Sequence, residues 1–144
     1  MQHAKATNGI DPVLVYTGSV GTWYLLDEVL RFYTVVQRQL PSARLLILSR
    51  NQQEVEQTLR RWNLPREAVT VEAVMHEDMP RWLSRADAGL AFYKEGPARQ
   101  GTCPTKIGEY LAMGLPVVVN RAVGDVEELI EQNGIGSVVN EFTP

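Results

Sequence analysis

The chain has 144 residues, a length that fits one domain, and 44% of them are hydrophobic, enough for a single core without covalent staples. Its one cysteine, Cys103, excludes an intrachain disulfide and a cysteine-based metal site, and it fits a reducing compartment. A formal net charge of -3 lacks the basic excess that nucleic-acid binding calls for, and no apolar run reaches the roughly 18 residues of a membrane span.

Residues 1–11 read as a polar lead-in or linker, because Met1 to Ile10 lack the apolar stretch of a signal peptide. From there to residue 144, apolar runs alternate with amphipathic stretches, and we expect one domain. Val13 to Tyr16 is a continuous apolar run, the pattern of a strand buried on both faces. Leu26, Val29, Leu30, Tyr33, Val36 and Leu40 form one face of a long helix, ended by Pro41-Ser42. Leu45 to Leu48 is the second strand. A polar helix follows with Val55, Leu59 and Trp62 as its stripe, and then Val69 to Val74 as the third strand. Met79, Trp82 and Leu83 mark a short helix that Pro80 suits near its first turn, and Ala88 to Tyr93 is the fourth strand. Pro104 to Met113 is a helix stopped by Gly114, with Pro116 beyond it. Val117 to Val119 is the fifth strand, Val126, Leu129 and Ile130 mark another helix, and Ser137 to Val139 is the sixth strand.

Short apolar strands joined by helical crossovers require an α/β fold with a parallel sheet covered on both faces. The expected order is the doubly wound, Rossmann-like 3-2-1-4-5-6. Ligands of such sheets bind beyond the carboxyl ends of the strands, near the switch in strand order. That selects the loops at Gly18 to Thr22, Tyr93 to Cys103 and Asn120 to Gly124. The first loop is not G-x-G-x-x-G, and strand two ends in Ser49-Arg50 with no acid for a ribose, so a dinucleotide oxidoreductase is disfavoured. No phosphate-binding G-x-x-x-x-G-K-[ST] occurs, and strand three carries Glu72 in its body with no aspartate at its end, which disfavours a phospho-receiver.

The densest signal runs from Gly101 to Val119. Pro104 sits near a helix start, so the N–H groups of Thr105, Lys106 and Ile107 lack helical partners and form an anion site at the positive end of the helix dipole. Lys106 adds a full charge there. One turn in, Glu109 offers two acceptor oxygens to a ribose diol. Each residue also has a use without a ligand. Thr105 suits a cap, Lys106 a solvated surface, and Glu109 a first-turn complement to the dipole. Gly108 reads as a site of close packing against a strand.

The run Pro-Thr-Lys-Ile-Gly-Glu-Tyr-Leu-Ala-Met-Gly-Leu-Pro-Val-Val, 104–118, resembles the C-terminal domain signature of GT-B glycosyltransferases, the large retaining family four in particular. The likeness extends from about Val13 to Val139. Tyr-Thr-Gly-Ser near the start, the Met79 to Gly89 run and Gly-Asp-Val-Glu-Glu-Leu at Gly124 to Leu129 fall in the expected order.

The resemblance implies that Glu109 binds the nucleotide ribose, that Thr105, Lys106 and Ile107 hold the diphosphate, and that Gly18 and Ser19 approach the same phosphates. It places the base near Val74-Met75-His76, where His76 reads as a structural or solvent histidine in preference to a catalyst. Two departures stand out. Gly101 occupies the position where the family often has a donor-sugar glutamate, and Ser19 that of its phosphate-pairing arginine, with Trp23-Tyr24 near an expected lysine. Lys106 or Arg99 is the expected replacement cation. No Asp-x-Asp metal motif is present, so we expect no metal and no cofactor beyond the substrate nucleotide sugar, a UDP-sugar in preference to a GDP-sugar.

As implied partners we expect the donor and an N-terminal GT-B domain that supplies acceptor and any base, and neither nucleic acid nor a transmembrane segment. Polysaccharide or glycoconjugate synthesis in the cytoplasm, or at the inner membrane face through acceptor or parent chain, follows from the family. The catalytic residues stay unassigned, and the domain alone is expected to bind without turning over. A catalytically inactive nucleotide-binding or interaction module of a polysaccharide assembly system is the alternative. Trp23, Tyr24 and Tyr93 suit an interdomain face or the core equally.

Overall fold

Six parallel strands lie in the order β3-β2-β1-β4-β5-β6, as the alternating pattern requires. They are β1 (Val13–Thr17), β2 (Arg44–Leu48), β3 (Val69–Glu72), β4 (Ala88–Ala91), β5 (Val117–Asn120) and β6 (Gly136–Val139). Among the described residues the helices are α1 (Leu26–Gln39), α2 (Gln52–Trp62), α3 (Met79–Leu83) and α4 (Thr105–Ala112). This computed structural model describes residues 11–18, 26–62, 64, 66–92, 105–120, 134 and 136–139, with the backbone alone at 105, 106, 120 and 137–139. The helix expected around Val126 to Ile130 lies outside those residues.

The alternation of side chains along each strand divides the core into two layers. Tyr16, Leu45, Ile47, Val69, Leu90 and Phe92 point to the α1–α2 side, where they meet Val29, Leu30, Tyr33, Val55 and Leu59. Val15, Leu46, Leu48, Ala91, Val117 and Val119 point the other way, onto Leu83 of α3 and Ile107 and Tyr110 of α4. The switch in strand order falls between β1 and β4, where the two strands pair through Leu14–Ala88, Val15–Gly89 and Tyr16–Leu90.

Helix limits follow local chemistry. Pro80 occupies the opening of α3, where a missing N–H costs nothing. At the end of α4, Gly114 adopts φ 74°, Leu115 N–H donates to the Tyr110 carbonyl (3.0 Å) and Gly114 N–H to that of Leu111 (3.0 Å). This is a Schellman cap, and it satisfies carbonyls the helix leaves open. Two strands are shorter than the apolar runs suggest. The third stops at Glu72, two residues before Val74, because β2, its neighbour among the described strands, ends at Leu48, the partner of Glu72. The fourth stops at Ala91.

Candidate functional site

At the carboxyl edge the strands end in step. Gly18 N–H donates to the Leu48 carbonyl (3.0 Å), and Ser49 N–H to that of Glu72 (2.9 Å), so each chain holds its neighbour for one bond past the strand before turning away. Gly18 makes its turn at φ 122°, a conformation that side chains with a β-carbon rarely adopt. The diverging chains leave a groove of about 260 Å³ lined by Gly18, Ser49, Arg50, Asn51, Val74 and His76, with Leu48 and Met79 beneath. A second groove, about 230 Å³, runs between α3 and α4 along Met79, Pro80, Leu83, Ala112 and Met113. His76 and Met79 line both, and Glu109 lines the second. Each volume lies below the roughly 300 Å³ at which small-molecule sites usually begin, and the two share His76 and Met79.

His76 and Glu109 face each other across this junction. Nδ1 of His76 is 3.9 Å from Oε2 of Glu109, with side chains 86% and 31% exposed. A pair so open to water contributes little to stability. Its value lies in what it can offer a ligand: two carboxylate acceptors for a pair of hydroxyls, and an imidazole with a donor and an acceptor on opposite edges.

Glu109 owes its position to the residue that follows it. Tyr110 is fully buried, its ring lying on Gly89 of β4 so closely that a β-carbon there would fall 2.4 Å from Cδ2 of the ring. The phenol oxygen accepts from the Thr17 backbone N–H (3.2 Å), donates to the Leu90 carbonyl (2.9 Å) and lies 3.4 Å from Oγ1 of Thr17. Burial drives its pKa well above the ordinary phenol value, with the Thr17 contacts pulling it partly back and the Glu109 charge raising it further. The phenol is therefore neutral and able to donate. With Tyr110 turned onto the sheet, Glu109 lies about 100° around the helix, toward the rim.

Of the expected site residues, Gly18, His76 and Glu109 meet at the two grooves. Thr105, Lys106 and Ile107 are the first three residues of α4. The Ile107 side chain is wholly buried, so only its backbone can face a ligand. Ser19 and Arg99 lie outside the described residues, as do Trp23, Tyr24, Tyr93, Gly101 and Cys103.

One expectation is corrected. Gly108 does not sit against a strand; a β-carbon there would meet nothing within 4 Å, and the residue is exposed. The glycine that permits α4 to pack closely on β4 is Gly89, because the large ring of Tyr110, and not the backbone of Gly108, makes the approach. Sequence reasoning also missed Ser49, Arg50 and Asn51. The oxygen of buried Ser49 accepts from the Asn51 N–H (3.1 Å), and Nη2 of Arg50 is 3.8 Å from Sδ of Met75. Strand two borders β1, so the rule that selected the loops after strands one, four and five selects its end as well. Among the described residues no group of three or more His, Cys, Asp or Glu could hold a metal ion, and no helix is long and apolar enough to cross a membrane.

A family model described as glycosyl transferases group 1 matches residues 11–143. A search of curated proteins finds no match. Among solved structures, the GtfA/B complex is similar at a TM-score of 0.69 and 14% identity, over 90% of this chain and 25% of that one. WaaG, a glycosyltransferase involved in lipopolysaccharide biosynthesis, is similar at 0.68 and 18% identity, over 91% and 34%. HepE from Anabaena, in complex with UDP-glucose, is similar at 0.66 and 19% identity, over 90% and 35%. These likenesses show the fold, and the chain spans between a quarter and about a third of the length of those proteins.

Proposed function

The chain belongs to the glycosyl transferases group 1 family, and from that membership we propose that it is the nucleotide-sugar-binding half of a GT-B glycosyltransferase, running from residue 12 to 144. The observation that carries this reading is the junction of two grooves at the carboxyl edge of the sheet, with Glu109 on one wall and His76 on the other. Glu109 grips the ribose hydroxyls. The base rests against Val74, Met75 and His76. The diphosphate lies at the opening turn of α4, on the N–H groups of Thr105, Lys106 and Ile107 with the Lys106 charge, and beside Gly18 and Ser19; Arg99 is a second source of positive charge.

Transfer of a glycosyl group leaves negative charge on the departing diphosphate. Fixed N–H dipoles and one or two cations can stabilise that charge with no metal ion. The acceptor and any base come from an N-terminal domain, so this chain alone binds and does not turn over. A UDP-sugar is the favoured donor, supported by the UDP-glucose held by HepE, and a retaining outcome follows from the family resemblance. The setting is polysaccharide or glycoconjugate synthesis on the cytoplasmic side.

Titration calorimetry with UDP, GDP and CMP, with and without EDTA, tests this. UDP uptake indifferent to EDTA is expected, and Glu109→Ala should weaken it by about 1–3 kcal/mol through loss of charge-assisted hydrogen bonds. No uptake of any of the three overturns the reading, and EDTA-sensitive uptake overturns its metal independence.

A further inference from the structure

We propose that Tyr110 is a positioning residue whose hydroxyl sets the spacing between the Gly18 turn and Glu109, and through it the fit of the nucleotide. The inference rests on the binding reading above. It starts from three elements that one oxygen atom holds together. The atom belongs to α4; it accepts from the last amide of β1, at Thr17, and donates to the Leu90 carbonyl on β4. Thr17 precedes Gly18, and Tyr110 follows Glu109. Each end of the link therefore adjoins a groove residue: Gly18, after Thr17, makes the turn that lines the first groove, and Glu109, before Tyr110, is the carboxylate that lines the second.

The surroundings leave this link little freedom. Tyr110 and Leu90 have no exposure, and Thr17 has 3%. The ring rests on Gly89, and the backbone carbonyl of Tyr110 holds the Leu115 amide of the helix cap, so the residue is fixed at both ring and backbone. Water has no access to replace the hydroxyl. Loss of that oxygen leaves the Thr17 N–H without its partner beside the switch point, where β1 and β4 part. The Gly18 turn and α4 then have no polar tie between them through this side chain.

Tyr33 supplies a matched control. Its hydroxyl is also buried and also donates to a backbone carbonyl, that of Ala43 (2.7 Å), but at the amino edge of β2, away from both grooves. The experiment compares Tyr110→Phe and Tyr33→Phe with the unaltered 144-residue chain, using UDP as the probe. Both variants should melt earlier. Only Tyr110→Phe should weaken UDP, by roughly fivefold or more, and only it should speed amide exchange at Thr17 and Gly18 in the unliganded chain. Should Tyr110→Phe fail to fold, Thr17→Val, which removes the hydroxyl neighbour at 3.4 Å and keeps the shape, takes its place with the same two readouts and the same direction.

If the unaltered chain binds UDP and the tested variant matches Tyr33→Phe in affinity and exchange, the positioning role is wrong while the binding reading stands. If the unaltered chain takes up no UDP, GDP or CMP, the binding reading fails and this inference falls with it.

Discussion

Two buried tyrosines do the same chemistry at opposite edges of one sheet. Tyr33 on α1 closes the amino edge by donating to Ala43, and Tyr110 on α4 closes the carboxyl edge by bridging Thr17 and Leu90. At the amino edge the strands are also tied by Arg44 N–H to the Pro12 carbonyl (2.8 Å), Asp87 N–H to that of Val13 (2.7 Å), and Val13 N–H to the Asp87 carboxylate (2.8 Å). That edge is cross-linked in several places, and losing one bond leaves others. At the carboxyl edge the ties among the described residues, Gly18 N–H to Leu48, Ser49 N–H to Glu72 and the two bonds of the Tyr110 hydroxyl, border the grooves, so each also governs groove geometry. The ties at the amino edge hold strand to strand, and those at the carboxyl edge also shape the grooves.

The largest effect should come from filling the space under Tyr110. In Gly89→Ala the new β-carbon would meet three ring atoms at 2.4–2.7 Å, so the buried ring or the strand must shift to admit it. Overpacking of this kind costs about 1–3 kcal/mol. Urea denaturation should show that loss, and nucleotide affinity should fall with it. A variant as stable as the parent would mean that Tyr110 is free to move, and the contrast between the two edges would break.

Alkaline titration sharpens the same contrast. Burial raises both phenol pKa values, with full burial at Tyr110 and a partial offset from the Arg44 charge at Tyr33. The unfolded chain sheds these protons near pH 10, before the folded one does, so the folded state is progressively disfavoured as pH rises above that point. The stabilisation is complete below pH 10 and declines above it. Urea midpoints measured from pH 8 to 11 should fall less steeply in Tyr110→Phe than in the parent, with a smaller flattening in Tyr33→Phe. Equal flattening would show that the two sites are equally sealed.

How much of this was legible beforehand depends on whether the signal was periodic or relational. Strand order followed from alternating apolar runs and the βα rhythm, because burial on both faces leaves a continuous apolar stretch such as Leu45 to Leu48. Glu109 was legible as a candidate because a helix start sets where a ligand can lie, and His76 only through what the family resemblance implies. The pairing of Gly89 with Tyr110 was not. Nothing local distinguishes Gly89 from Gly108; what decides between them is which residue arrives from another element, and a ring at position 110 is visible only once α4 lies on β4. For the same reason the role of the Tyr110 hydroxyl, tied to atoms 20 and 93 positions away, leaves no periodic trace.

Gly108 is accordingly the informative counterpart to Gly89. It lies within α4, exposed, with open space where a side chain would go. Gly108→Ala should raise stability by about 0.5–1 kcal/mol, the usual gain from removing a helical glycine's excess freedom. Two glycine-to-alanine changes, one under the Tyr110 ring and one on the open face of its helix, would then have opposite signs. A loss at Gly108 would mean that the helix presses on a neighbour at this point.

The smallest effect should lie on the far side of the sheet, at the surface where α1 meets α2. There Asp27 accepts from Nε1 of Trp62 (2.7 Å) and sits 3.4 Å from Nη2 of Arg61, with both charged side chains about half exposed or more. Asp27→Asn keeps an acceptor for the indole and removes only the charge. An exposed ion pair of this kind is worth at most about 1 kcal/mol, so the urea midpoint should shift slightly and nucleotide affinity not at all. The affinity is the sharper readout. Charge removal on the α1–α2 side that altered binding would require a route through the sheet to the Gly18 turn, and the contrast between the two edges would have to be redrawn along the faces instead.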